Sequence, residues 1–161
     1  MFPARVADWM KHPVHHVKPL DTVRHARALL ERHRVNQLPV VVDGHLVGII
    51  TDRDLRDAFP AVPEVSAALR SGRAHGDLGE TPVEDVMTRT VVTVAPSDVL
   101  TEAAQLMRRE RIGALPVVEE GRLVGILTRS DVLAAFVALA AGTGEPETPV
   151  ARAGLGSTRR R

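Results

Sequence analysis

Two threonine–aspartate pairs carry most of the chemistry in this sequence: Thr51 with Asp54, and Thr128 with Asp131. Each follows a short apolar segment, in Gly48-Ile49-Ile50-Thr51-Asp52-Arg53-Asp54 and in Gly125-Ile126-Leu127-Thr128-Arg129-Ser130-Asp131. The pattern reads as a strand running into a helix. Such a junction leaves unpaired backbone N–H groups and the positive end of the helix dipole facing outward, which suits a phosphate. A threonine hydroxyl can donate to a phosphate oxygen, and an aspartate can accept from two sugar hydroxyls. The same residues also form a capping box, in which both side chains only satisfy N–H groups at the helix start. Their repetition weighs toward binding.

The remaining reactive residues are less suggestive. His12, His15 and His16 lie close together, but in a strand His15 and His16 point to opposite faces and cannot hold one ion. No cysteine is present to complete a metal set, to form a disulfide or to act as a nucleophile. Asp52 and Asp54 are neighbouring carboxylates that a helix start explains without acid–base catalysis. No Gly-x-Ser-x-Gly elbow, P-loop, His-Glu-x-x-His or dinucleotide fingerprint occurs, so no enzyme is expected.

Composition narrows the class further. At 161 residues, 44% hydrophobic and 25% charged, the chain is an ordinary globular protein of one domain or two small ones sharing a core. Lys and Arg number 21 against 20 Asp and Glu, a net charge of +1 that gives no bulk attraction to nucleic acid or membrane. One Trp, three Phe and no Tyr leave few platforms on which to stack single-stranded bases. Met1-Phe2-Pro3-Ala4-Arg5 lacks a signal-peptide core, and the longest apolar run, Val132–Ala141, is too short to span a bilayer. The expectation is a cytoplasmic protein.

The elements that must position the two pairs come from a repeat. Thr51 and Thr128 are 77 positions apart, and the same offset aligns Val6 with Val83, Asp8 with Asp85, Met10 with Met87 and Pro19 with Pro96. It also aligns Leu38-Pro39-Val40-Val41 with Leu115-Pro116-Val117-Val118, and Gly44 with Gly121, without a gap. Two copies are too few for an open solenoid, so they should pack on each other. Each copy reads β-α-β-β-α. A strand (Val14–Val17; Val91–Val94) precedes a helix over Thr22–Arg34 or Asp98–Arg111, with stripes Val23, Ala26, Leu30 and Val99, Ala103, Leu106, Met107. Strands Leu38–Val42 and Leu115–Val118 turn at Asp43-Gly44 and Glu120-Gly121 into Leu46–Ile50 and Leu123–Leu127. A final helix should bury Leu55, Ala58 and Phe59 in one copy, and Val132, Leu133 and Phe136 in the other. This divides the chain into units at 1–60 and 83–141, a linker over 61–82 with a helical turn at Val65–Leu69, and a disordered basic tail over 142–161 ending in Arg159-Arg160-Arg161.

These features resemble a tandem cystathionine-β-synthase (CBS) domain pair, or Bateman module, over about Val6 to Ala141. Thr51–Ala58 is similar to the CBS part of acetoin-utilisation-type accessory proteins. The resemblance implies an α+β fold of two tandem β-α-β-β-α units about a pseudo-two-fold axis, with sheets packed together and helices outside. It also implies two clefts for adenosine-containing ligands, each built from both copies. One cleft would use Thr51, Arg53 and Asp54, with Ile49 beneath the sugar and Val92, Ile112 and Gly113 as its adenine wall. The other would use Thr128, Ser130 and Asp131, with Ile126 beneath the sugar and His15, Val35 and Asn36 around the base. Arg53 is a forked, permanent cation where the second copy has Ser130, and Gln37 can donate where the second copy has Ala114, so the first cleft should bind a charged nucleotide more tightly. The implied function is a regulatory sensor of AMP, ADP or ATP, with Mg²⁺ a possible companion of a triphosphate and no cofactor required. It would be a homodimer signalling to a partner protein. Two other readings remain: a structural dimerisation module with empty clefts, and a nucleic-acid-associated regulator acting through the Arg-rich tail.

Overall fold

The computed structural model describes residues 4–58 and 78–142. In chain order these form α1 (Val6–Trp9), α2 (Val23–His33), β1 (Gln37–Val42), β2 (His45–Thr51) and α3 (Asp52–Ala58). Two 3₁₀ turns follow at Leu78–Glu80 and Val83–Asp85, then α4 (Leu100–Glu110), β3 (Ala114–Glu119), β4 (Arg122–Thr128) and α5 (Arg129–Ala140). Phe59, the expected turn at Val65–Leu69 and the tail beyond Gly142 lie outside the described residues.

Local sequence sets the element ends. The Thr22 hydroxyl accepts the His25 N–H at 3.1 Å to start α2, and Arg34 ends it in the left-handed region at φ 53°. Arg111 ends α4 in the same way, at φ 56°. Both hairpin turns have two consecutive positive φ values, Asp43-Gly44 at 49° and 84° and Glu120-Gly121 at 50° and 80°. That is the tight turn whose twist matches the strands it joins. The expected stripes of α2 and α4 face inward, with Val23, Ala26, Leu30, Ala103 and Met107 buried.

The four strands make one antiparallel sheet in the order β1-β2-β4-β3. The expectation of two packed sheets is therefore corrected: the hairpins join side by side, at the single pair His45↔Arg122. Leu46 N–H donates to Gly121 and Leu123 N–H to Gly44, at 3.1 and 3.0 Å. Each of these bonds becomes the other under the 77-residue offset, so a two-fold axis passes between them. Pro39 and Pro116 are tolerated because β1 and β3 are the edge strands.

Two further expectations need correction. The predicted first strands, Val14–Val17 and Val91–Val94, reduce to single parallel bridges, Val17↔Val40 and Val94↔Val117. Immediately after each bridge an aspartate turn claims the next backbone donor: Lys18 N–H to Asp21 at 2.7 Å and Ala95 N–H to Asp98 at 2.8 Å. The chain therefore leaves the sheet edge after one residue. In α5, Leu133 and Phe136 were expected inside but are 64% and 69% exposed, while Ala135 and Ala138 are buried. Asp131 is tied back to Thr128, which fixes the rotation of the helix and turns its small residues toward the sheet. Ala58 of α3 is also exposed; Leu55 is fully buried.

Two clusters form the core, and each borrows from the other copy. Leu38, Ile50 and Leu55 pack with Val83 and Met87, which open the second copy. Leu115 and Leu127 pack with Val6 and Trp9, which open the first. The lead-in segments are thus exchanged. Each crosses a glycine of the opposite copy, Met87 over Gly48 and Met10 over Gly125, where a Cβ would collide with the methionine sulfur.

Candidate ligand clefts

In both copies the threonine and aspartate close a reciprocal cap. Thr51 donates its N–H and its hydroxyl to Asp54 Oδ2, at 2.8 and 2.7 Å, and accepts the Asp54 N–H at 3.1 Å. Thr128 and Asp131 repeat this at 2.7, 2.6 and 3.4 Å. The hydroxyl proton expected to reach a phosphate is therefore committed to the carboxylate. A bond between residues three apart orders almost no extra chain, so it forms readily. The threonine's role here is to aim the aspartate.

The two aspartates differ in their other oxygen. Asp54 Oδ1 has no partner among the described residues. Asp131 Oδ1 lies 2.8 Å from Lys11 Nζ, and Asp131 is the buried charged residue of the described core, at 6% exposure. Lys11 reaches it because the first lead-in segment runs along β4, its N–H and C=O both bonded to Ile126 at 2.8 and 3.0 Å. The corresponding segment on β2 puts Thr88 at this place, bonded to Ile49 at 2.9 Å in both directions.

Beside Asp54 opens a cleft of about 620 Å³, within the range of small-molecule sites. It gathers Gln37, Ile49, Thr51, Arg53 and Asp54 of the first copy with Val92, Ile112 and Gly113 of the second. Those are the residues assigned to the first cleft from sequence. It also takes Asn36, which sequence reasoning assigned to the other cleft. Asn36 sits where β1 begins and its carbonyl accepts the Asp52 N–H at 3.0 Å, so it borders the start of α3. Arg56, Thr88, Thr90 and Arg111 were not anticipated. The offset that pairs Met10 with Met87 also pairs Lys11 with Thr88, and was the signal available for that position.

Charge in this cleft is held loosely. Arg53 is 83% exposed and 3.6 Å from Asp57, and Arg56 is 2.7 Å from Asp52. Exposed pairs of this kind are worth about 0–1 kcal/mol, so an arriving phosphate can outbid them. Arg111 has no ion-pair partner among the described residues and stands on the wall contributed by the second copy.

The residues expected around the second cleft are the 77-residue counterparts of the first cleft's wall, His15 matching Val92, Val35 matching Ile112 and Asn36 matching Gly113. Ile126 is bonded to Lys11, and Ser130 is exposed on the first turn of α5. Val35 packs against the core of the first copy. His15 stacks on His33, ring centroids 3.6 Å apart and 16° from parallel. His33 titrates below the ordinary histidine value, first because the imidazolium would lose solvent there, then because His15 and Arg32 add positive charge nearby.

With this geometry established, comparison decides the family. The chain matches the CBS domain over residues 6–61 and again over 83–138. It belongs to the CBS-domain proteins. The CBS domain-containing protein YhcV of Bacillus subtilis is 38% identical over 127 residues, which cover 79% of this chain and 81% of YhcV. Among solved CBS structures, that of the acetoin utilization protein AcuB from Vibrio cholerae superposes with a TM-score of 0.72 at 31% identity, covering 91% of this chain and all of that one. The structure of CBSX2 in complex with AMP superposes at 0.69 and 33% identity, covering 84% and 98% of the two chains. The twofold match spans the swapped lead-in segments as well as the hairpins and helices of both CBS units. No helix among the described residues is long and apolar enough to cross a membrane.

Proposed function

We propose that the Thr51/Asp54 cleft binds an adenosine nucleotide, AMP or a near relative, and that its occupancy regulates a partner protein. One observation carries this reading. Asp54 is fixed through one oxygen by its own cap, while its other oxygen has no partner among the described residues and borders a 620 Å³ cleft. A carboxylate so placed can accept from both hydroxyls of a ribose. Ile49, Val92 and Ile112 offer apolar surface for the base, and Arg53 and Arg111 offer charge for phosphate from opposite copies. The AMP complex of CBSX2 supports the class of ligand. Since both copies contribute walls, a bound nucleotide favours the arrangement in which they are closed on it, which is how binding becomes a signal. A Mg²⁺ ion would matter only for a triphosphate. The role is regulatory and cytoplasmic, with no reaction of its own.

Calorimetry with AMP tests this. Binding that is lost in Asp54→Ala supports the site; equal affinity in the variant removes it.

A second feature favours self-association. Leu133, Phe136 and Val137 are each at least 64% exposed on α5. An apolar helical face of this kind is covered when two copies meet. Sedimentation should show a dimer that Phe136→Glu dissociates; a wild-type monomer at micromolar concentration argues against it.

A further inference from the structure

We infer that Lys11 decides how many nucleotides the chain can hold, by occupying the second cleft's aspartate with the chain's own cation. The inference extends the reading of Thr-x-x-Asp as a sugar-binding pair to the copy in which that pair is already satisfied. In the first copy Asp54 keeps one oxygen without a partner among the described residues. In the second, Lys11 Nζ takes the corresponding oxygen of Asp131 at 2.8 Å. An ammonium donates to the oxygen that sugar hydroxyls would need, so the two compete for the same lone pairs.

The contact is specified by the fold. Lys11 and Thr88 occupy matching places on matching strands, each bonded in both directions to the isoleucine that follows the strand glycine, Ile126 or Ile49. Each is preceded by a methionine seated on that glycine, Met10 on Gly125 and Met87 on Gly48. The backbone bonds at this position are therefore the same in both copies, and the side chain that they present differs. Threonine is too short to carry a charge to the aspartate, whereas lysine spans the distance with its stem and keeps two-thirds of its side chain in solvent. Two threonine–aspartate pairs are thus made unequal by one residue that comes from the opposite lead-in segment.

The test exchanges the two residues and counts sites by calorimetry with AMP. Wild type should bind one AMP per chain, lost in Asp54→Ala and kept in Asp131→Ala. Lys11→Thr should bind a second, lost when Asp131→Ala is added. Thr88→Lys, an exposed substitution that leaves the core untouched, should weaken the first site by about tenfold or more, the equivalent of one charge-assisted hydrogen bond. Two AMP per wild-type chain would overturn the inference, as would a folded Lys11→Thr protein that gains no site. So would unchanged or tighter binding in Thr88→Lys. Should wild type bind no AMP, the first-cleft reading fails separately; the Lys11 inference then stands if Lys11→Thr gains an Asp131-dependent site and falls if it does not.

Discussion

The first and second clefts begin from the same four-residue pattern and end in different electrostatic states. Both aspartates are capped by their threonines at nearly equal distances. Beyond the cap, Asp54 borders an open cleft with three arginines on its walls, and Asp131 is buried against a lysine. A capping box therefore does not by itself exclude a ligand site. The cap uses one carboxylate oxygen, and what faces the other oxygen determines whether a ligand can use it.

Several measurements would sharpen or break this contrast. The largest effect should come from the cores. Leu38→Ala and Leu115→Ala each remove a fully buried side chain from one copy, and each should cost about 2–5 kcal/mol. Because the lead-in segments are exchanged, both variants should melt in one transition; a split transition in either would show the copies to be independent. Next come the crossing points. Gly48→Val and Gly125→Val push a side chain into Met87 or Met10, and overpacking of this kind costs about 1–3 kcal/mol. In addition Gly125→Val should loosen the Lys11–Asp131 pair, visible as faster amide exchange at Lys11 and Ile126, while Gly48→Val should lower AMP affinity through Thr88. Equal effects of both variants on AMP would contradict the asymmetry.

Removing the carboxylates should separate binding from stability. Asp54→Ala should weaken AMP by about 1.5–3 kcal/mol, roughly tenfold to a hundredfold, whereas Asp131→Ala should leave affinity within about twofold. Both lose a cap and should lose about 1 kcal/mol of stability in chemical denaturation.

The smallest effect is one of pH. His15 and His33 stack in the first copy, and the matching places in the second hold Val92 and Glu110. His33 titrates below 6.5 when folded, so the unfolded chain binds the proton more readily. Its neutral form is fully present above that pH in both states, and stability declines as pH falls below it through the folded value. Melting temperature should drop on acidification from pH 7.5 toward 5.5, and His33→Gln should flatten that part of the profile. An unchanged slope would show that the stack has no linkage to folding.

Much of this was legible in the residues. The ungapped offset exposed two units, the 3.6-residue stripes located α2 and α4, and the paired turn residues located both hairpins. The residues named for the walls of the first cleft came from the resemblance to a CBS pair, carried over position by position. Other features were not local. The exposed face of α5 could not be read from its composition, since apolar residues lie all round that helix. Its orientation follows from the Thr128–Asp131 cap and from the closeness with which Ala135 and Ala138 let it approach the sheet. The predicted first strands were shortened by aspartate turns whose competition with the sheet edge depends on where that edge lies.

The sequence by itself determined the repeat, the element types, the two caps and the chemical difference between Arg53 and Ser130, because each depends on neighbours along the chain or on a constant offset. Tertiary structure alone decided which copy each lead-in segment would cover. That choice depends on how two hairpins meet at His45 and Arg122 and which buried faces they leave open for Val6, Trp9, Val83 and Met87. Lys11 is remote from Asp131 in sequence, and only the exchange of segments across the two-fold axis brings the ammonium onto the carboxylate.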